Sequence, residues 1–508
     1  MISRIEGEGG ARLRRRFGAR EAVLLLAFVY AVAIAGLSMY KHEVYLSSRF
    51  DLGNMDQAVW NSAHGRILEA TDEEGEITSR LKNHADFLLL TYVPLYWLYP
   101  SPHWLLVTQA AVVGAGAIPL FWLARRFMGG REWPAALVAM AYLFNPGLQA
   151  ANLFDFHAQT MAGTFLLFAL HYLLERCPVP FLLFAALAAL TKEGTVLIVG
   201  MMGLYVLFVC RRPRWGIPVF AVSVAYFLLT MLVIIPLFNT GDSSGLVEER
   251  YGAFGGSLGG VIATTLTDPF FTLAYMLAHG KALYLLSLAG MAGFMGIFAP
   301  LLLALPLPEL AINLLSDRPQ MTNVRYHYSA PILPFVYVAA AAGIARVTRL
   351  LSAASERGGV LARLLPKTGA LAKRLPVVLA TGVLLLNLQL DYSIGPLPVF
   401  HAPGNTLSVI DPAPREHLRA LDRAVALIPD GAKVSASNQI GAHLAHRRYL
   451  YLFPTIRDAE YVIVDETEPA YDTALNPVLN LQSVQRLRES GEYRKIFDES
   501  GVLVFERR

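Results

Sequence analysis

The chain has 508 residues, is 55% hydrophobic and only 16% charged, and carries a formal net charge of +4. Soluble domains carry about 25% charged residues, so this composition excludes a water-soluble globular protein. The basic residues cluster at the ends of apolar runs, which excludes nucleic acid as the partner of that charge. Repeated apolar runs broken by Pro, Gly and charge predict a polytopic α-helical membrane protein.

Arg12, Arg14, Arg15, Arg16 and Arg20 precede the first apolar run, residues 22–40, and place the N-terminus in the cytoplasm. That run is too long for a signal h-region, and no cleavage site follows it. Residues 41–103 then form a long outer loop. Within it, FDLGNMDQAVWNSAHG (residues 50–65) has Leu52, Met55 and Val59 at helical spacing, predicting a short amphipathic helix on the bilayer surface. Asp51 stands where that helix begins. It is either an N-cap facing the positive end of the helix dipole or a catalytic carboxylate at the membrane boundary, with Asp56 as a second acid. Residues 87–99 are apolar but short and contain Pro94, predicting an interfacial helix rather than a crossing.

Further runs predict spans at residues 104–124, 134–149, 161–174, 181–190, 195–210, 217–238, two within 282–315, 331–344 and 377–390. Dense Arg/Lys clusters fall on one side if there are about eleven crossings. Residues 239–280 read as a second, Gly-rich outer loop with an acidic patch at Glu248 and Glu249. Cys177 and Cys210 lie on the cytoplasmic side, where a disulfide is not expected. Residues 1–395 thus form the transmembrane domain. Residues 411–508 change composition and predict a small outer α/β domain, with helices at 416–427 and 483–490 and strands at 434–437, 449–452, 461–464 and 501–505. His443 and His446 in it lack a partner at metal spacing and read as residues of a surface helix.

Polar groups near spans are costly and are functional candidates. Here they collect on the outer side: Asp51 and Asp56; His84 and Asp86; Asp155 and His157; Lys192 and Glu193; Glu309; Arg325, His327 and Tyr328. Each alone has a structural alternative, such as snorkelling or pairing with a neighbour. Together they point to one shared site. Carboxylates with His at the outer boundary, such as Asp51 and the Asp155–His157 pair, can bind a divalent cation (Mg, Mn or Zn) through oxygen and imidazole ligands. Arg325 and His327 are candidate phosphate contacts. His84, Lys192, Glu193 and Tyr328 complete the substrate-binding set, and Asp51 is the candidate base. Such a set suits group transfer from a lipid phosphate whose tail stays in the bilayer. Neither a Walker A sequence nor a G-x-G-x-x-G motif is present, so nucleotide chemistry is unsupported. A transporter or lipid-linked-glycan flippase, using the same acids to relay protons, is the alternative; inverted repeats and midplane charges would favour it.

The segments FDLGNMDQAVWNSAHG, NHADFLLLTYVPLYWLYPSP, ALTKEG, PELAINLLSD and RYHYSAPILPF resemble a bacterial family of membrane proteins of unknown function within the GT-C glycosyltransferase superfamily. That superfamily includes oligosaccharyltransferases, protein O-mannosyltransferases and lipid A aminoarabinose transferases. The resemblance implies a bacterial inner-membrane enzyme that moves a sugar from a polyprenyl-phosphate-linked donor to an acceptor outside the cytoplasm. It also implies that Asp51 is the essential acid of the first outer loop, that Asp155 helps hold a metal, and that residues 87–99 form a juxtamembrane helix. The chain departs from the pattern at Ala85-Asp86, and Asp51-Leu52 lacks the paired acids of some members.

Overall fold

The computed structural model describes residues 17–239, 248, 250–278, 280–356, 368–397, 410–467 and 477–508. Arg12, Arg14, Arg15 and Arg16, used above to orient the chain, and Glu249 of the acidic patch lie outside the described residues.

Each apolar run of the helical part folds as helix. Five helices among the described residues are long and apolar enough to cross a membrane: Ala19–Glu43, His103–Phe127, Pro213–Phe238, Leu333–Glu356 and Lys373–Ile394. Shorter apolar helices, Pro178–Ala189, Thr195–Phe208 and Lys281–Met291, pack among them. At 1.5 Å per residue, a twelve-residue helix reaches only about 18 Å of a core about 30 Å thick. The expected number of about eleven crossings therefore includes runs that do not span by length alone. Residues 87–99 fold as a 3₁₀ turn, Phe87–Tyr92, followed by the helix Val93–Leu98, with Pro94 at its first turn where its missing N–H costs nothing.

The segment expected as a Gly-rich loop is different. Helices Leu258–Thr267 and Pro269–Leu277 occupy its second half, bent by 108° at Asp268. Pro269 forces the break and Asp268 caps the second helix, accepting the Phe271 N–H at 2.9 Å. The pair is apolar enough to count as a sixth, broken span.

Close helix contact beside the polar end depends on small residues. A Cβ at Gly163, in helix Ala158–Glu175, would lie 2.7 Å from both Ala330 O and Pro334 Cγ. This contact brings the segment that begins at His157 against the one that carries His327.

The C-terminal part is a five-stranded mixed sheet. With the two-stranded β1 (Glu69–Thr71) and β2 (Ile77–Ser79) preceding it in the chain, its strands are β3 (Val434–Ala436), β4 (Leu450–Leu452), β5 (Tyr461–Asp465), β6 (Tyr493–Glu499) and β7 (Val502–Arg507), in the order β4-β3-β5-β7-β6. Alternation sorts the side chains. Ile463, Val502 and Val504 face helix Arg415–Ala426 through Ala420 and Leu421, while Val462, Val464 and Leu503 face Val484 and Leu487 of helix Pro477–Glu489. Strand β6 was not expected, because its charged sequence YRKIFDE hides the alternation; it is the exposed edge.

The sheet domain docks on the loop after the first helix. Gln57 Nε2 donates to the Arg447 and Arg448 carbonyls at 3.0 and 3.1 Å, and Thr71 Oγ1 accepts the Leu450 N–H at 3.1 Å. His443 and His446 lie in this joint rather than on a surface helix. His443 stacks on His42 (ring centroids 4.2 Å, interplanar angle 4°), and His446 Nε2 meets Asp56 Oδ1 at 3.0 Å.

Candidate functional site

Residues Arg49–Gly53 form one π-helical turn that runs into helix Asn54–Ala63. Ser48 is its cap: Ser48 Oγ accepts the Phe50 N–H at 3.0 Å. Asp51 is therefore not the capping residue. Its Oδ1 instead meets His157 Nε2 at 3.1 Å. Three elements hold the turn. Asp155 Oδ2 accepts the Ser48 N–H at 2.8 Å, Asn438 Oδ1 accepts the Phe50 N–H at 3.2 Å, and the fully buried Arg49 donates from Nη2 to Leu450 O at 3.0 Å and to Thr71 O. The C-terminal domain thus helps shape the segment that carries Asp51.

The His157 ring stacks on His327, with centroids 3.7 Å apart, and Tyr328 lies next in the row at 4.2 Å. Among the described residues, Nδ1 of both histidines is buried without a hydrogen-bond partner. Burial, with His157, Lys192 and Arg250 nearby, holds His327 well below the usual histidine range, so it is neutral. Lys192 Nζ donates to Gln159 Oε1 at 3.0 Å and sits 5.5 Å from the Tyr328 ring centroid. Gln159 turns its Nε2 to Glu309.

A second carboxylate–imidazole pair lies close by. His84 Nδ1 meets Glu193 Oε1 at 3.0 Å, and Glu193 Oε2 accepts the Ala85 N–H at 3.1 Å. Burial alone would raise the Glu193 carboxyl, but the contacts with His84 and then Lys192 outweigh it and hold the group below the usual carboxylate range. Glu193 is an anion that anchors His84. Arg80 pairs with Asp86 at 2.5 Å.

These residues enclose a polar cavity of about 320 Å³, lined among others by Asp51, His84, Asp86, His157, Lys192 and His327. An apolar cavity of about 220 Å³ adjoins it. The two share Asn83, His84, Lys192 and Arg250. The apolar walls come from Phe227, Met231 and Ile235 of helix Pro213–Phe238 and from Leu258 and Val261 of the bent pair. Arg250 Nε is buried with no hydrogen-bond partner among the described residues.

Of the residues singled out in the sequence, Asp51, His84, His157, Lys192, His327 and Tyr328 line the polar cavity, and Glu193 and Glu309 line the apolar one. Three do not take the expected place. Asp56 lines neither cavity and is spent on Tyr96 OH (2.5 Å) and His446. Five residues on from Asp51, at about 100° per residue, a helical chain has turned roughly 140° away. Asp155 is structural: Lys41 Nζ reaches its Oδ1 at 2.8 Å while Oδ2 takes the Ser48 N–H. Among the described residues no group of three His, Cys, Asp or Glu side chains is placed to hold a metal ion, the expected set Asp51, Asp155 and His157 included. Arg325 is exposed and lines a different cavity. Cations missed in the sequence, Arg80, Arg250 and Arg318, stand around the polar cavity. Asn438, 387 positions after Asp51 in the chain, lines it too. Only Arg250 had a visible signal, as a cation in a loop otherwise marked by acids.

A helical membrane protein with a half-buried carboxylate, two stacked imidazoles and several cations around one polar cavity, which shares part of its lining with an apolar one, is the class that this geometry defines. The chain belongs to the family described as Predicted membrane protein (DUF2079), which matches residues 41–504. Among solved structures, it is similar to ArnT from Cupriavidus metallidurans bound to undecaprenyl phosphate, at 12% identity, covering 95% of this chain and 97% of that one, with a TM-score of 0.49. ArnT from the same organism in the apo state gives 11% identity, 94% and 98% coverage, and a TM-score of 0.45. No curated protein sequence matches the chain.

Proposed function

We propose that this protein is a membrane glycosyltransferase of the GT-C type, which moves a sugar from a polyprenyl-phosphate-linked donor to an acceptor on the extracytoplasmic side. The reading is carried by one observation: a polar and an apolar cavity meet at a shared rim of His84, Lys192 and Arg250. A lipid phosphate has the same division. Its prenyl chain suits the walls of Phe227, Met231 and Ile235, and its phosphate suits the cationic rim. The sugar would then occupy the polar cavity against His157 and His327.

Asp51 is the group placed to act as base. Its carboxylate is fixed by His157 and points into the polar cavity. It accepts the proton of the acceptor hydroxyl as that oxygen bonds to the sugar's anomeric carbon. The bond from that carbon to the phosphate oxygen breaks, and the electron pair leaves with the lipid phosphate. Lys192 and Arg250 stabilise the charge developing there.

Binding of undecaprenyl phosphate to the purified protein, followed by native mass spectrometry, tests the donor reading. Arg250→Ala should raise the dissociation constant about ten- to a hundred-fold, the value of a charge-assisted hydrogen bond. Binding that is unchanged in both Arg250→Ala and Lys192→Met would remove the lipid-phosphate site from this rim.

A further inference from the structure

Arg325 was expected beside the donor phosphate, and its actual position marks a second site. It lines a separate cavity of about 300 Å³, together with the apolar Pro146, Ala150, Val324, Ile394 and Pro396, which are called its floor. Its guanidinium has no hydrogen-bond or ion-pair partner among the described residues, whereas Arg80 in the polar cavity is already neutralised by Asp86. Two aromatic residues, Phe154 and Tyr326, line both this cavity and the polar one. Their ring centroids are 5.1 Å apart, and Phe154 stands 5.7 Å from the His157 ring that holds Asp51. The wall between the two cavities is therefore about one aromatic layer thick. Ile394 ends the last candidate span, so the cavity floor is continuous with the end of a membrane helix.

We infer that this cavity binds the acceptor, and that the acceptor is an anionic amphiphile. The inference rests on the glycosyltransferase reading above and adds the chemical class of the second substrate. An unpaired guanidinium selects a phosphate or carboxylate. The apolar floor at the end of a membrane helix takes a hydrocarbon or other apolar stem. The two flanking rings pass a hydroxyl-bearing group towards Asp51, and rings of this kind suit the faces of sugars. Donor and acceptor then approach Asp51 from opposite sides of the Phe154–Tyr326 layer, with the donor at Arg250 and the acceptor at Arg325.

The test uses dodecyl phosphate as the probe, titrated into the purified full-length protein and counted by native mass spectrometry. Wild type should bind two equivalents. Arg325→Ala should weaken one of them about ten- to a hundred-fold and leave the other unchanged. Arg250→Ala should weaken only the other. Ala150→Trp, which fills the floor without touching any charge, should remove the same equivalent as Arg325→Ala, and so guards against a variant that merely misfolds. Inorganic phosphate, which has no stem, should bind at Arg325 at least tenfold more weakly than dodecyl phosphate. If Arg325→Ala and Ala150→Trp leave both equivalents intact while Arg250→Ala removes one, the acceptor cavity is overturned and the donor site stands. If Arg325→Ala and Ala150→Trp remove one while Arg250→Ala does nothing, the anionic site at Arg325 stands and the donor reading fails. Inorganic phosphate binding as tightly as the amphiphile would overturn the amphiphilic class.

Discussion

Replacing Asp155 by Asn separates its structural role from a role in catalysis. Lys41 is 1% exposed and Asp155 3%, and their ion pair is 2.8 Å long. The substituted amide would keep the shape and could still accept the Ser48 N–H, but the Lys41 ammonium would remain buried without its counter-charge. Removing one partner of a buried pair costs about 3–5 kcal/mol. Lys41 keeps the carbonyls of Leu153 (3.2 Å) and Phe154 (2.7 Å), which places the cost at the low end, about 3 kcal/mol. At about 2.1 cal/mol/K of unfolding entropy per residue, a chain of this length shifts by about 1 °C per kcal/mol, so melting in detergent should fall by roughly 3 °C. Lys41→Met with Asp155→Asn removes both charges, so the double variant should melt above the sum of the two single losses, with a coupling of at least about 1 kcal/mol. An Asp155→Asn protein that melts within about 1 °C of wild type, or strictly additive losses, would refute the structural assignment.

Two other outcomes follow from the same geometry. Gly163→Val should destabilise the protein by about 1–3 kcal/mol or more, because the added carbon meets backbone at Ala330 and the Pro334 ring; unchanged melting would show that the two segments can part freely. The joint of the C-terminal domain should loosen in acid. Burial holds His443 at about 4 against an unfolded value of 6.5, with His42, His103, Tyr45, Asp422 and Asp56 around it. Its contribution is therefore complete above pH 6.5 and is lost as the pH falls towards 4, by about 3 kcal/mol at most. His446, raised despite burial by Asp56, changes with pH in the opposite sense. Protection factors over residues 438–450, that is, exchange corrected for its intrinsic pH dependence, should fall between pH 7 and pH 5, and His443→Phe should flatten that fall; the same pH dependence of protection in wild type and variant would contradict it.

The sequence revealed more of the site's chemistry than of its geometry. Asp51, His84, His157, Lys192 and His327 were visible because each lies close to an apolar run on the outer side, where a polar side chain beside the membrane is a functional candidate. Their convergence followed from placing every charge cluster on one side. What could not be read was direction. Asp51 and Asp56 share one amphipathic stretch, but helical rotation turns Asp56 towards Tyr96 and His446. Arg325 and His327 are two residues apart, and the turn through Tyr326 puts them on either side of its ring. Asn438 could not be linked to Phe50 by any local pattern, because that contact depends on how the C-terminal sheet docks. Residues 258–277 were read as loop because their glycines and the break at Asp268 and Pro269 masked two short apolar helices. The pairing of Asp155 with Lys41 could not be read either, because the two lie 114 positions apart and meet only through the packing of the first helix.

The central claim is that a carboxylate at Asp51 transfers a sugar from a lipid phosphate. The direct measurement is release of undecaprenyl phosphate from a radiolabelled undecaprenyl-phosphate sugar by the protein in bacterial membranes, compared between wild type and Asp51→Asn. Asn keeps the size of the side chain and leaves the Ser48 cap untouched, so melting should be unchanged. It cannot take the acceptor's proton, and turnover should fall about a hundred- to ten-thousand-fold. Turnover by Asp51→Asn within a few-fold of wild type, at equal melting temperature, would contradict the claim and move the base elsewhere in the cavity.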